Sequence, residues 1–455
     1  MAAEPTRAAP RAALRVSDGL ALMVGMVVGI GIFKAPSLVA SRLDDPWVIL
    51  GLWVAGALVV LVGALCYAEL ATAFPDAGGE YHFLTRAFGP ATGFLFAWGR
   101  LAVVQTGAIA AVGFVLGDYA QELLHIGPMG PSLYAGAAVI GLTALNVRGT
   151  PVSARVQNLL AAALVAAVLA AALAGFALGG GVEAAGAMAL EGAGAAGSGR
   201  ETTLAAIGFA MIFVMLTYGG WNEVAYLSAE LGDVRRNMVR VILLGTLVVT
   251  VLYIAINGAY LRILGPAAMG ASEAIGADYM RALVGSPGAT VLSLVIIAAA
   301  LTTMNATIFT GARSAYAMAR DSGLFGPIGR WDVRAAGPVN AHLVQGALAL
   351  ALVGLGTATR QGFSTMVEYT APVFWFFLLL TGVALFVLRR GGLPAGTYRV
   401  PLYPLTPALF CASSAFMLHA SLAYTEVGAL IGVGIVALGI PVWWLARRRA
   451  PGPAV

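Results

Sequence analysis

Charge is what this chain lacks most. Of its 455 residues only 10% are Asp, Glu, Lys or Arg, while 60% are hydrophobic. A soluble domain carries about 25% charged residues, so the composition excludes an ordinary one. Lysine is almost missing: Lys34 is the only one, and the formal charge of +5 rests on arginine. The arginines stand at the ends of apolar runs, not in basic blocks. That pattern excludes a nucleic-acid surface and is what membrane topology demands. Cysteine occurs twice, as Cys66 and Cys411, each inside an apolar run. Such residues read as small apolar side chains, not as a disulfide framework or metal site. The four histidines, His82, His125, His342 and His419, lie far apart. No His-Glu-x-x-His, Gly-x-Ser-x-Gly or P-loop is present. The chain therefore reads as neither an enzyme nor an ATP-driven motor, and it calls for no cofactor.

What it has instead is apolar runs long enough to cross a bilayer. About twelve can be drawn: 17–40, 47–74, 91–118, 132–146, 154–178, 204–231, 237–262, 287–319, 340–357, 364–389, 405–424 and 427–446. The fold class is all-α and polytopic. With the N-terminus in the cytoplasm, one side collects most arginines, among them Arg86, Arg148, Arg235, Arg236, Arg389 and Arg390. The other side has Arg42, Arg200, Arg262, Arg281 and Arg360. This asymmetry places both termini in the cytoplasm and the protein in the plasma (inner) membrane. Residues 1–16 form an Ala/Pro/Arg-rich segment expected to be disordered, and 447–455 a cytoplasmic tail. The Gly/Ala-rich stretch 179–203 is an external linker. The external loop 261–286 has room for a short helix.

Two spans are interrupted. The first contains Val27-Val28-Gly29-Ile30-Gly31-Ile32-Phe33-Lys34-Ala35-Pro36, and the sixth Thr217-Tyr218-Gly219-Gly220-Trp221-Asn222-Glu223. Glycine weakens a helix and lets backbone approach a ligand. Unwound backbone at membrane depth persists where it lines a cavity. Close helix packing is the alternative reading of the glycines. Interruption at corresponding places in two halves points to a transporter's binding site. The halves are 17–178 and 204–389, each of five spans and hence opposite in orientation; 390–446 holds the last two spans. The new helix that starts near Gly31 aims amides at the cavity, where a carboxylate is the natural guest. A side chain in place of Gly31 is expected to occupy the carboxylate's position.

An ionisable residue inside the membrane is a functional hypothesis by default. Lys34 either snorkels outward or meets a substrate carboxylate. Glu223 either pairs with a helix end or takes a proton-handling or gating role. Glu69 reads as half of a structural ion pair, and Arg100 as a packed or snorkelling side chain. Thr302 and Thr303 are adjacent hydroxyls that either bond back to their own helix or contribute to an oxygen cage for sodium.

Taken together, Gly29-Ile30-Gly31-Ile32-Phe33, Tyr67-Ala68-Glu69-Leu70, Pro75 to Tyr81, Tyr218 to Asn222 with Arg235-Arg236-Asn237, Asn305 to Arg313 and Trp375 to Arg389 resemble the amino acid–polyamine–organocation (APC) superfamily. The similarity covers nearly the whole chain and is closest to the L-amino-acid-transporter-like branch. It implies a LeuT-like five-plus-five inverted repeat, alternating access and an amino acid substrate. The carboxylate would lie on the amides of Ile30, Gly31 and Ile32. The amino group would meet carbonyls of Val28, Gly29 and the stretch Leu216, Thr217, Tyr218, Gly219, with Trp221 beside it. Leu216 stands where the family has a gating aromatic. Leu164 stands where many relatives have a lysine that takes the place of a sodium ion. The fold's cation site would fall on Gly25, Val28, Ala299, Thr302 and Thr303, leaving Na+ or H+ as the coupling ion. The partners implied are the amino acid and the lipid bilayer, with no partner subunit evident. Two other functions share these features: a polyamine or organocation carrier, and an amino acid sensor that does not transport.

Overall fold

The first expected span is not one helix. In the computed structural model, α1 (Val16–Val27) ends at the first break, a 3-10 turn follows at Ile30–Phe33, and α2 (Ala35–Ala40) comes after it with Lys34 at the N-cap position. Gly29, in extended conformation, separates α1 from the turn. Pro36 sits in the first turn of α2, where its missing N–H costs nothing. The structure describes residues 16–75, 79–148, 154–178, 203–228, 231–322, 326–332, 338–359, 361–423 and 427–449.

The next helices are α3 (Pro46–Ala73) and α4 (Glu80–Phe88). Asp45 caps α3 by accepting from the amides of Trp47 and Val48. The third span is composite: α5 (Pro90–Gly99), a π turn over Arg100–Gln105, then α6 (Thr106–Leu123). It outruns the expected limit at residue 118. Asp118 and Glu122 end the apolar run, yet each finds a cation, Lys34 and Arg281, so the helix continues past them. Helices α7 (Gly130–Val147) and α8 (Ala154–Leu178) follow.

Next, α9 (Leu204–Thr217) is capped by Thr203 and ends at the second break. Gly220 takes φ 101°, a left-handed conformation suited to glycine, and a 3-10 segment runs on from Trp221 to Leu227. The long α10 (Val234–Ala271) is interrupted at Gly265, with Pro266 after it, close to the expected end of span seven. The loop that follows does hold a short helix, α11 (Ile275–Val284). The remaining helices are α12 (Ser286–Ser322), α13 (Val339–Thr359), α14 (Gly362–Arg390), α15 (Leu405–Ala423) and α16 (Val427–Arg449).

Among the described residues, 10 helices are long and apolar enough to cross a membrane. The two other expected spans are the broken first one and α8, whose apolar stretch is Leu164–Leu178. Of the segments expected at 1–16 and 179–203, residues 1–15 and 179–202 lie outside the described residues. Against the bundle's centre, α10 packs on α1, α2 and α3, while α9 packs on α2 and α12 packs on α6. The side on which α1 begins is called the near side below, and the other the far side.

Candidate functional site

The two breaks face each other. A Cβ built on Gly31 would lie 3.3 Å from both the Cα and the Oγ1 of Thr217. Gly31 is thus where the first broken span touches the second, and a side chain there would push the breaks apart. Gly29 is the open position: the nearest atom to a Cβ there is the Val27 carbonyl oxygen, at 3.9 Å. The leading amides of a helix have no intrahelical partner, and at the first break these belong to Ile30 and Gly31. Both helices that run into the breaks, α1 and α9, end on carbonyls.

Those carbonyls meet at one hydroxyl. Tyr253 of α10 places its Oη 2.7 Å from the Val27 oxygen and 2.9 Å from the Thr217 oxygen. One proton thus serves two acceptors from the two interrupted spans. Tyr253 is completely buried and rests edge-on against Trp53 and Tyr218. Sequence reading missed it. The available signal was a polar stripe on span seven, Thr246, Thr250, Tyr253, Asn257 and Tyr260, at helical spacing.

Leu216 is 37% exposed, whereas Met215 and Thr217 beside it are buried. Trp221 is only 2% exposed, with its ring 4.9 Å from that of Tyr67 and 6.1 Å from that of Phe410. It packs into an aromatic cluster between α3 and α15 and has little surface to offer a ligand. The 3-10 turn packs against α12, which carries Ala299, Thr302 and Thr303. Thr302 turns its hydroxyl back to the Ala298 carbonyl at 2.9 Å. Val28 is buried and its amide bonds to Val24; Gly25 lies in α1. Leu164, where relatives would have lysine, is buried on α8, which packs on α1. Among the described residues no three His, Cys, Asp or Glu side chains are gathered as metal ligands.

Ion pairs flank the breaks. On the near side the Arg100 Nη2 donates to both oxygens of Glu223, at 2.8 and 2.9 Å, and its Nη1 is 3.8 Å from Glu80. Arg100 is 7% exposed, so it neither snorkels nor merely packs; it joins span three to the second break. Glu80 also accepts from the Tyr67 hydroxyl and the Asn222 amide. Burial pushes its carboxyl above the usual range, and the Arg100 guanidinium opposes that shift. Glu69, fully buried, accepts from Arg389, whose side chain is partly exposed, and from the Val400 amide, as a structural pair. On the far side Lys34 donates to Asp118 at 2.7 Å and to the Glu273 carbonyl at 2.8 Å. Tyr119 donates to the Phe33 carbonyl and accepts from the Gly276 amide. The far half of span one is thereby tied to span three and to α11.

Comparison with known proteins fits this arrangement. The amino acid permease family matches residues 14–445. The chain belongs to the amino acid permease family. The permease is 28% identical to the b(0,+)-type amino acid transporter 1 of Mus musculus over 376 residues, 82% of this chain and 75% of the relative. With the same transporter of Homo sapiens it shares 27% over 391 residues, 85% and 78% of the two chains. The large neutral amino acids transporter small subunit 2 of Homo sapiens is 27% identical over 434 residues, 93% of this permease and 78% of that chain. Membership makes the permease a membrane carrier, not an enzyme, as its sequence leads one to expect.

Proposed function

We propose that this permease carries amino acids across the plasma membrane by alternating access, binding them at the two breaks. The carboxylate lies on the amides of Ile30, Gly31 and Ile32. The amino group meets carbonyls of Val28, Gly29 and the stretch Leu216 to Gly219. The observation that carries the reading is the convergence of two helix ends, Val27 and Thr217, on the Tyr253 hydroxyl. Carbonyl ends are the negative poles of α1 and α9, and amides at Ile30 and Gly31 form a positive pole beside them. Such a pair of poles suits a zwitterion. The relatives, all named as amino acid transporters, point to the same substrate class.

The near side is the cytoplasm in this reading, so that the arginine-rich loops lie inside. Lys34, Asp118 and Tyr119 then hold the external side together, and Arg100 with Glu223 belongs to the internal side. The test is uptake of labelled amino acids into liposomes containing the purified permease. Saturable uptake of at least one amino acid is expected; binding without flux would indicate a sensor instead.

The coupling ion is an open position in this scheme, and we propose sodium at Gly25, Val28, Ala299, Thr302 and Thr303. With Leu164 neutral, no lysine stabilises the carbonyls at the end of α1, and an oxygen shell suits a hard cation. Against it stands the Thr302 hydroxyl, already committed to Ala298. Sodium should raise substrate affinity by about 5- to 150-fold at constant ionic strength, and Thr303→Val should remove that gain. Equal affinity with and without sodium would leave proton-linked or exchange transport. One relative is named a small subunit; purification from a membrane under mild detergent tests whether this permease also has a companion chain.

A further inference from the structure

The π turn of span three has a consequence for substrate choice. Over Arg100–Gln105 the helix widens, and Tyr369 of α14 donates to the Ala102 carbonyl at 2.6 Å. π turns within α-helices cluster at functional sites. Here the turn borders a small cavity of about 40 Å³, lined by Arg100, Gln105, Asn222, Glu223, Phe374 and Phe377 among others. The cavity is adjacent to the second break, since Asn222 stands in the first turn after Gly220.

Most polar groups in this lining are engaged. Glu223 takes both its bonds from Arg100, and Asn222 donates to Glu80. Gln105 differs. It is only 8% exposed, it lines the cavity, and its amide makes no hydrogen bond to any described residue. Its carboxamide keeps accessible surface in the cavity without a protein partner, and its chemistry asks for a ligand group that both donates and accepts. Phe374 and Phe377 in the same lining give the aliphatic part of such a partner apolar surroundings.

We infer that Gln105 is a specificity-determining residue: it pairs with the side chain of the transported amino acid, and it favours side chains ending in a carboxamide. This rests on the substrate lying at the two breaks, so that its side chain extends into the space beside Asn222. A site built around one hydrogen-bonding group discriminates strongly against an analogue that lacks it. Glutamine and norleucine are suitable probes, because they have similar length and only glutamine carries the amide.

The experiment is competition by each probe against uptake of a labelled amino acid in liposomes containing the permease. Glutamine should compete about tenfold better than norleucine in the wild type. In Gln105→Leu the ratio should fall by about the same factor and approach or cross unity. Equal competition by the two in the wild type overturns the inference while leaving the site at the breaks standing, and needs no variant to fold. A wild-type preference for glutamine that survives unchanged in Gln105→Leu overturns it too. If the wild type takes up no amino acid at all, the reading of the breaks fails and this inference falls with it.

Discussion

At the scale of single residues, the glycines of the first break have separate duties that the sequence does not distinguish. Gly-Ile-Gly reads as one flexible unit, yet only Gly31 touches Thr217. Replacing it with leucine should abolish uptake by separating the breaks, at an overpacking cost of about 1–3 kcal/mol, with insertion unaffected. Gly29→Ala should fold normally, because its extended backbone and open surroundings accept a methyl group. Its substrate affinity should fall, since the methyl group enters the space left for the ligand. Paired uptake and surface-expression measurements check both variants. Normal affinity in Gly29→Ala would move the substrate elsewhere. Tyr253→Phe is a third case. It removes the one proton shared by Val27 and Thr217, leaving buried carbonyls short of a donor, at a cost of about 1–3 kcal/mol. A lowered melting temperature is expected, together with slower transport; a variant as stable and as fast as wild type would deny Tyr253 any role in aligning the breaks.

Elements are where sequence and structure agree best. Long apolar runs and paired glycines are one-dimensional features, so the interruptions near Gly31 and Gly219 and the short helix after span seven were legible. The π turn at Arg100–Gln105 was not, because no residue type marks it; two polar residues amid apolar ones were its only trace. Ion partners were equally hidden. Arg100 and Glu223, or Lys34 and Asp118, stand on different spans, and only packing says which charges meet. Glu69 was read as structural from its place at a span end, and its bonds to Arg389 and Val400 bear that out. The exposed Leu216 yields a prediction at this scale. An aromatic ring there would narrow the space beside the second break, so Leu216→Phe should shift preference toward small amino acids. An unchanged ranking of alanine against phenylalanine as competitors would place Leu216 away from the substrate.

For the whole molecule, the distribution of polar ties matters more than their number. On the far side Lys34, Tyr119 and Gly276 bind the outer part of span one to span three and α11. On the near side Arg100 holds Glu223, which belongs to the moving segment after the second break in the proposed cycle. Alternating access requires one set to open while the other holds. Asp118→Asn weakens the far set alone and should favour the externally open form. Faster modification of cysteines introduced beside Phe33, by a membrane-impermeant thiol reagent, is the expected sign; rates equal to those in the otherwise unaltered background would show that this tie does not govern opening.

The scarcity of lysine gives the molecule a built-in reporter. Apart from the chain's amino terminus, Lys34 offers the only primary amine for acylating reagents. Its ammonium is engaged by Asp118 and the Glu273 carbonyl, and only 13% of the side chain is accessible. An amine-reactive dye should therefore attach there slowly, and faster whenever the far side parts. The unmodified polypeptide would then announce its own opening through a single covalent mark, read as a mass increment on one peptide.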